Sequence, residues 1–310
     1  MIQNTYIILL NYHGISDTTE CIQSLLNLST NNYRIVVVDN SQNNEEWKKL
    51  LDFARSESLD YISFNQENDR NYQQQKVVFI KAQENKGFAH GNNLGLKFAM
   101  SQEDAWYFWL LNNDTVVRPD SLTELVTYHS QHPETILGSK LLYYHCPDKI
   151  QAVGGSFNKN LYISTHIGEG KKYDVLKKDL PKIDYPIGAS MFVSRDFIDH
   201  VGFLSEDFFL YYEELDWCER GIDEKFVPDW CETSIVYHKE GKSIGSSYKN
   251  KKSFFSEVQL FKSRKKFVEK YYSLSFKFYF SSLLLILNRL RKGQFTLANQ
   301  LIKITFNDVK

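Results

Sequence analysis

An aromatic run, Phe208-Phe209-Leu210-Tyr211-Tyr212, ends abruptly in Glu213-Glu214-Leu215-Asp216-Trp217-Cys218-Glu219-Arg220. Carboxylates held where an apolar wall meets a cleft lose hydration and become more basic. A general base that takes a proton from a hydroxyl near neutral pH needs that property. Glu213, Glu214 and Asp216 are therefore candidate catalytic residues. A plainer reading competes. Acidic side chains also favour the first turn of a helix, where they complement its dipole, and Asp216 and Arg220 have the spacing of an ordinary surface pair. Taken alone, the segment favours the plainer reading.

Three other places carry chemical potential. Asn85-Lys86-Gly87-Phe88-Ala89-His90-Gly91-Asn92-Asn93-Leu94-Gly95 puts three glycines in what reads as a strand-to-helix connection. Glycine permits close backbone approach, and a helix N-terminus offers free N–H groups to an anion. The pattern is neither GxGxxG nor a Walker A loop, and ordinary loops use the same residues. Leu110 to Val117 places Asp114 just beyond an apolar run, where a carboxylate can hold a hard divalent ion through oxygen. Such an ion would neutralise a departing diphosphate. One aspartate needs a second ligand, and otherwise reads as a turn residue. His238, after another β-like run, is a candidate for that second ligand or simply a histidine at a strand end.

The elements that must position these residues are legible as short apolar runs. Tyr6–Leu10, Arg34–Val38, Val77–Ile80 and Trp106–Leu111 have strand length and read as buried on both faces. A helix between the first two takes Asp17 as its N-cap and Cys21, Ile22, Leu25, Leu26 and Leu28 as its apolar face. Another spans Gly91 to Met100. Alternating strands and helices predict a mostly parallel α/β sheet, whose ligands sit beyond the carboxyl ends of the strands. Asn11, Asp39, Asn40, Asn112, Asn113 and Asp114 stand at those ends. Asn and Asp also form turns readily, but three polar endings on one rim point to a site. The polar stretch Asp39–Gln75 reads as one helix, about 45–54, followed by a surface loop. Residues 140–190 read as irregular or antiparallel structure.

The chain has 310 residues, room for one large domain with an appendage or for two domains. A net charge of −1 with 24% charged residues excludes a strong field for nucleic acid. The four cysteines form no CxxC pair, so neither a zinc site nor a disulfide framework is expected. No cleavable leader is visible, and no apolar stretch reaches the roughly 18 residues of a spanning helix. A cytoplasmic protein is the expectation.

In chain order, Val38-Asp39-Asn40-Ser41, Asn85 to Gly95, Leu111-Asn112-Asn113-Asp114, Gly188-Ala189-Ser190-Met191 through Gly202-Phe203 to Phe208–Asp216, and His238 with Gly241 and Ser243 resemble family 2 glycosyltransferases of GT-A fold, in their bacterial rhamnosyltransferase-like branch. The resemblance covers residue 5 to about residue 245. It implies that Asn11, Asp39 and Asn40 hold the base and ribose of a sugar nucleotide. Gly87 and Asn93, with Asn112 and Asn113, line the pocket. Asp114 becomes the metal-binding carboxylate and His238 its helper, with Mg2+ or Mn2+ as the ion. Glu214 becomes the base of an inverting displacement, with Glu213 and Asp216 shaping the site. Two positions depart from the family. Asn112 replaces the first aspartate of its DxD element, and Glu214 replaces the second residue of its Glu-Asp pair. The donor implied is dTDP-rhamnose or a UDP-sugar. The acceptor implied is a glycan or lipid-linked glycan. A sugar-nucleotide or glycan binding protein without catalysis is the competing class.

From about Ser253 the pattern changes to Phe254, Val258, Phe261, Phe267, Tyr271 and Tyr272 interleaved with Lys262, Arg264, Lys265, Lys266 and Lys270. This predicts a catalytic domain over 1–245 and a basic, aromatic helical extension over 246–310. The extension either lies on an anionic membrane, with Phe276–Leu290 as the apolar part, or packs on the catalytic domain or a second subunit.

Overall fold

The computed structural model describes residues 3–64, 74–239 and 253–307. Gly241, Ser243 and the expected boundary at residue 245 lie outside the described residues. In chain order come β1 (Asn4–Asn11), α1 (Ile15–Leu26), β2 (Tyr33–Asp39), α2 (Asn44–Ser56), β3 (Tyr61–Phe64), β4 (Val77–Lys81), α3 (Phe88–Met100) and β5 (Ala105–Asn112). Next are β6 (Thr115–Val117), α4 (Ser121–Gln131), β7 (Thr135–Tyr143), β8 (Cys146–Ala152), β9 (Gly154–Asn158) and β10 (Ile163–Ile167). Then β11 (Ser190–Ser194), α5 (Arg195–Val201), α6 (Glu213–Asp223) and β12 (Val227–His238) precede α7 (Phe254–Tyr271), α8 (Phe276–Arg291) and α9 (Phe295–Phe306).

Ten strands form one sheet in the order β3-β4-β2-β1-β5-β11-β7-β12-β6, with β8 paired to β7. The first five are mutually parallel, while β11 runs antiparallel between β5 and β7. Register pairs Asn11 with Asp39 and Leu10 with Asn112, so the polar strand endings do share one rim. Successive residues of β1 and β2 enter opposite cores. Ile8, Val36 and Val38 pack under α3 and α6, whereas Ile7, Leu9, Ile35 and Val37 pack under α1, α2 and α4. Burial on both faces is why these strands read as unbroken apolar runs.

Four details differ from expectation. The N-cap of α1 is Gly14 and the helix stops at Leu26, leaving Asp17 in its first turn and Leu28 beyond it. Helix α3 starts at Phe88 rather than at Gly91. A Cβ on Gly91 would sit 2.3 Å from Leu10 Cδ1, and one on Gly95 2.7 Å from Ile8 Cγ2. These glycines let the helix lie close on β1. The polar stretch before Val77 also contains β3, an edge strand that is mostly half-buried and therefore lacks a continuous apolar run.

The fourth concerns the basic side chains after Ser253, several of which point inward. Arg264 is buried and donates to the Tyr162 and Leu161 carbonyls and to the Ser281 and Ser282 hydroxyls. Burial lowers its pKa to about 10. Lys265 donates to the carbonyls of Ile304, Thr305 and Asn307, closing the end of α9. Phe267, Val268 and Phe278 join the core cluster under α3 and α6. A smaller cluster of Val258, Phe261, Ile286, Leu297, Leu301 and Ile304 holds α7, α8 and α9 together.

Candidate active site

Four side chains in series organise the rim. Asn113 Nδ2 donates to Thr18 Oγ1 at 2.8 Å, Thr18 Oγ1 to Asn11 Oδ1 at 2.8 Å, and Asn11 Nδ2 to Asp39 Oδ1 at 2.9 Å. The series ties the β5–β6 turn, α1, β1 and β2 to one another. It leaves Asp39 Oδ2 buried with no partner among the described residues. Asn40 follows. Its Nδ2 donates to Asn85 Oδ1 at 2.9 Å, which also accepts the Gly87 N–H at 3.0 Å, while Asn40 Oδ1 is buried and likewise unpartnered. Buried acceptors are normally satisfied. Two adjacent residues that each keep one open suit the N–H and hydroxyl donors of a nucleoside.

At the end of β12, His238 Nε2 lies 3.2 Å from Asp114 Oδ1, and His238 Nδ1 lies 2.8 Å from Gln151 Oε1 on β8. The Gln151 contact assigns the ring proton to Nδ1, which turns the Nε2 lone pair toward Asp114. When the ring is doubly protonated, the same contact is an ion pair. The backbone repeats the connection, since Lys239 N–H donates to the Asp114 carbonyl at 3.0 Å. One carboxylate oxygen and one imidazole nitrogen suit a cation such as Mn2+. Among the described residues no group of three or more His, Cys, Asp or Glu side chains could hold a metal ion. Diphosphate oxygens and waters would therefore have to complete the shell.

The acidic segment reaches this rim from the other side. Tyr211 and Tyr212 both have left-handed backbone, φ 71° and 72°, immediately before α6. Each costs of order 1–2 kcal/mol and persists only where its surroundings hold it. The restraints are visible: Phe88 N–H donates to the Phe209 carbonyl at 2.9 Å, Ser263 Oγ to the Leu210 carbonyl at 2.8 Å, and Tyr212 OH to the Tyr162 carbonyl at 3.2 Å. Gly87, φ 99°, makes the first contact possible, because a Cβ there would stand 2.1 Å from the Phe209 oxygen.

The turn sends three neighbouring carboxylates in different directions. Glu214 is half-buried, and its Cδ is 4.0 Å from the place a Cβ on Gly188 would occupy, with the Phe88 ring equally near. Gly188 adjoins Ala189, whose carbonyl accepts the Asn112 N–H at 3.0 Å. The base candidate thus stands beside the loop that is hydrogen-bonded to the start of the Asp114 turn. Tyr185 and Tyr212 border it; burial raises both phenols, and the charge of Glu214 adds to the effect. Glu213 is buried, with Oε2 unpartnered among the described residues, and burial followed by the charge of Glu214 holds its pKa well above the usual carboxylate value. Asp216 faces away from the cleft. It is 0% exposed and binds Arg220 Nε at 3.0 Å, Lys270 Nζ at 2.6 Å and Tyr271 OH at 2.8 Å. These bonds fasten α6 to α7.

Asn93 is tied to the segment before Phe208. Its amide donates to the Leu204 carbonyl and Glu206 Oε1, both at 2.9 Å, and its oxygen accepts the Leu204 N–H at 3.1 Å. These bonds fix the loop before the acidic segment. Asn112 is half-buried at the rim, its carbonyl taken by Thr115 Oγ1 at 2.7 Å. Sequence reasoning did not single out Thr18 or Gln151, and no local pattern marks them; Lys270 was read only as one of the basic residues of the C-terminal extension. Asn85, within the Asn-Lys-Gly turn, did carry a signal.

The profile of glycosyl transferase family 2 matches residues 6–202. The chain belongs to this family. The curated relatives of this family 2 glycosyltransferase include Agl10, a hexosyltransferase of low-salt glycan biosynthesis from Haloferax volcanii, 23% identical over 242 residues. That match spans 77% of this chain and 68% of Agl10. The dTDP-rhamnosyl transferase RfbF of Shigella flexneri is 22% identical over 74% of this chain and 68% of its own length. Among solved structures, GalNAc-T7 with UDP, GalNAc and Mn2+ superposes with a TM-score of 0.62 at 13% identity. It covers 86% of this chain, which spans 48% of GalNAc-T7. The fold is therefore GT-A, with helices following the mixed, mostly parallel sheet.

Proposed function

We propose that this glycosyltransferase moves a sugar, rhamnose first among the candidates, from a nucleoside-diphosphate donor to a hydroxyl of a glycan or lipid-linked glycan, with inversion at the anomeric carbon. The observation that carries the proposal is the meeting of two chemistries on one rim. The Asp114–His238 pair stands at the end of the sheet, and Glu214 lies over Gly188, one residue from the loop bonded to Asn112. The relatives named for hexosyl and dTDP-rhamnosyl transfer support the donor class.

Asp39 and Asn40 would take the nucleoside through their open acceptors, the first held by the Asn113–Thr18–Asn11 series and the second by Asn85. Asp114 and His238 would hold the divalent cation, which when bound would offset the charge left on the diphosphate. Glu214 accepts the proton of the acceptor hydroxyl. The hydroxyl oxygen forms its bond to the anomeric carbon as the bond to the diphosphate oxygen breaks, and the nucleoside diphosphate leaves with that electron pair. One base is enough, because no covalent enzyme intermediate forms. The free thiols Cys21, Cys146, Cys218 and Cys231 fit a cytoplasmic setting.

A panel of dTDP- and UDP-sugars, each with and without Mg2+ or Mn2+, tests the reading by thermal shift and donor turnover. NMR of the product then gives the anomeric configuration. Absence of donor turnover across the panel, or retention in the product, would overturn it.

A further inference from the structure

Helix α8 presents two unlike faces. Phe278, Ser281, Ser282 and Ile286 are buried against α7 and α9, and Arg264 grips both serines from below. The opposite face carries Phe276, Phe280, Leu283, Leu284, Leu287 and Leu290, all exposed, Phe276 to 81%. Their steps of three and four place them on one stripe. The buried Arg264 contacts prevent this helix from rolling to hide it. A continuous apolar stripe of this size marks a surface that meets something other than water.

The surrounding charge says what. From Ser273 to Asn307 the chain contains Lys277, Arg289, Arg291, Lys292 and Lys303 and no acidic residue. Arg289 is bound to Glu257 of α7 at 2.8 Å, while Lys277, Arg291, Lys292 and Lys303 are exposed. A second copy docked by the same face would set cation against cation, since a two-fold contact brings like surface to like. An anionic lipid surface complements both properties at once. The 16 residues of α8 extend about 24 Å, short of the roughly 30 Å hydrocarbon layer. No helix among the described residues is long and apolar enough to cross a membrane. The helix would therefore lie in the plane of the surface.

We propose that α8 docks this enzyme onto an anionic lipid bilayer, its apolar stripe in the interface and its exposed lysines and arginines among the headgroups. Phe254 and Phe295, both exposed, lie at one open surface recess beside the α8–α9 turn. The next residue, Phe255, meets Phe209 edge to face at 5.9 Å. That end of the docking surface is thus continuous with the segment that carries Glu214. The proposal rests on the packing of α8 and not on the catalytic assignment.

The test is flotation of the full chain with phosphatidylglycerol-containing vesicles and with pure phosphatidylcholine vesicles. The chain is expected to float with the anionic vesicles, and about tenfold less at high salt or with the neutral ones. Leu284→Glu with Leu287→Glu should remove flotation while leaving the melting temperature and the circular dichroism spectrum unchanged, because both side chains are exposed. Arg291→Glu with Lys292→Glu should reduce it by about tenfold or more. Equal flotation of the parent and the Leu284/Leu287 variant would overturn the proposal. So would failure of the parent to bind anionic vesicles. A dimer that dissolves in the Leu284/Leu287 variant, with no vesicle binding by the parent, would overturn it in favour of a second copy.

Discussion

His238 Nε2 and Asp114 Oδ1 stand 3.2 Å apart, contributed by strand β12 and by the turn between β5 and β6. Gln151 on β8 holds the imidazole from its other nitrogen. Partners that fix the orientation of a ligating histidine typically contribute 10- to 100-fold to metal affinity. His238→Ala should abolish the difference between nucleoside diphosphate affinities measured with Mn2+ and with chelator. Gln151→Ala should lower Mn2+ affinity by about tenfold or more. Titration calorimetry reads both, and affinities that match the parent would remove this pair from the metal site.

Glu214→Gln keeps size and hydrogen-bonding capacity but cannot accept a proton. Turnover should fall by about 10²- to 10⁴-fold, the usual contribution of a general base. Donor affinity should change little, since the nucleoside contacts assigned above are at Asp39 and Asn40. Near-parental turnover in a single-turnover assay would exclude Glu214 as the base.

Glu213 links the site to stability through pH. Burial and the neighbouring Glu214 charge raise its pKa in the folded state. Above the ordinary carboxylate pKa of about 4.3, the unfolded chain releases this proton while the native protein retains it. The native state then binds more protons than the unfolded one, so stability is highest below that value and falls as pH rises toward the native pKa. Glu213→Gln stays neutral throughout. Its melting temperature should gain on the parent as pH rises from about 5 to about 8. Parallel melting curves for the two proteins across that range would refute the assignment.

Asp216 should matter for folding more than for chemistry. It is fully buried, whereas Lys270 and Arg220 are partly exposed, which discounts the pair energies. Asp216→Asn should cost about 2 kcal/mol, as charged hydrogen bonds become neutral ones. Urea unfolding gives the loss. Donor affinity at low temperature should stay within about twofold, well under the tenfold that 1.4 kcal/mol represents. A variant with parental stability and no turnover would instead assign Asp216 to the catalytic set.

The parts of the molecule that were legible share a physical cause. Tyr6–Leu9, Ile35–Val38, Val77–Ile80 and Phe108–Leu111 are buried on both faces, so composition alone marks them. Their polar ends fall on one rim because parallel strands end together. Asp114 and His238 carried weak signals singly, and the family resemblance joined them. Gln151 was hidden because only the strand order brings it to His238, and Thr18 because only the packing of α1 on the rim brings it to Asn113. The glycines of Gly87 to Gly95 blurred where α3 begins, and tight packing against Leu10 and Ile8 is why the helix carries Gly91 and Gly95 despite their low helix preference. Asp216 had the spacing of a surface pair, and only the path of α7 shows that its carboxylate is interior.

The bonds from Asp216 to Lys270 and Tyr271, together with buried Phe267, bear on how shortened versions of this enzyme should be made. A fragment ending near residue 245 would leave Asp216 with Arg220 but without Lys270 and Tyr271, and would open the space Phe267 fills, a site whose truncation alone typically costs about 3–5 kcal/mol. Such a fragment would precipitate or melt early, and its inactivity would say nothing about catalysis. The three last helices are therefore not an exchangeable module, and a minimal enzyme must retain at least α7 through Tyr271.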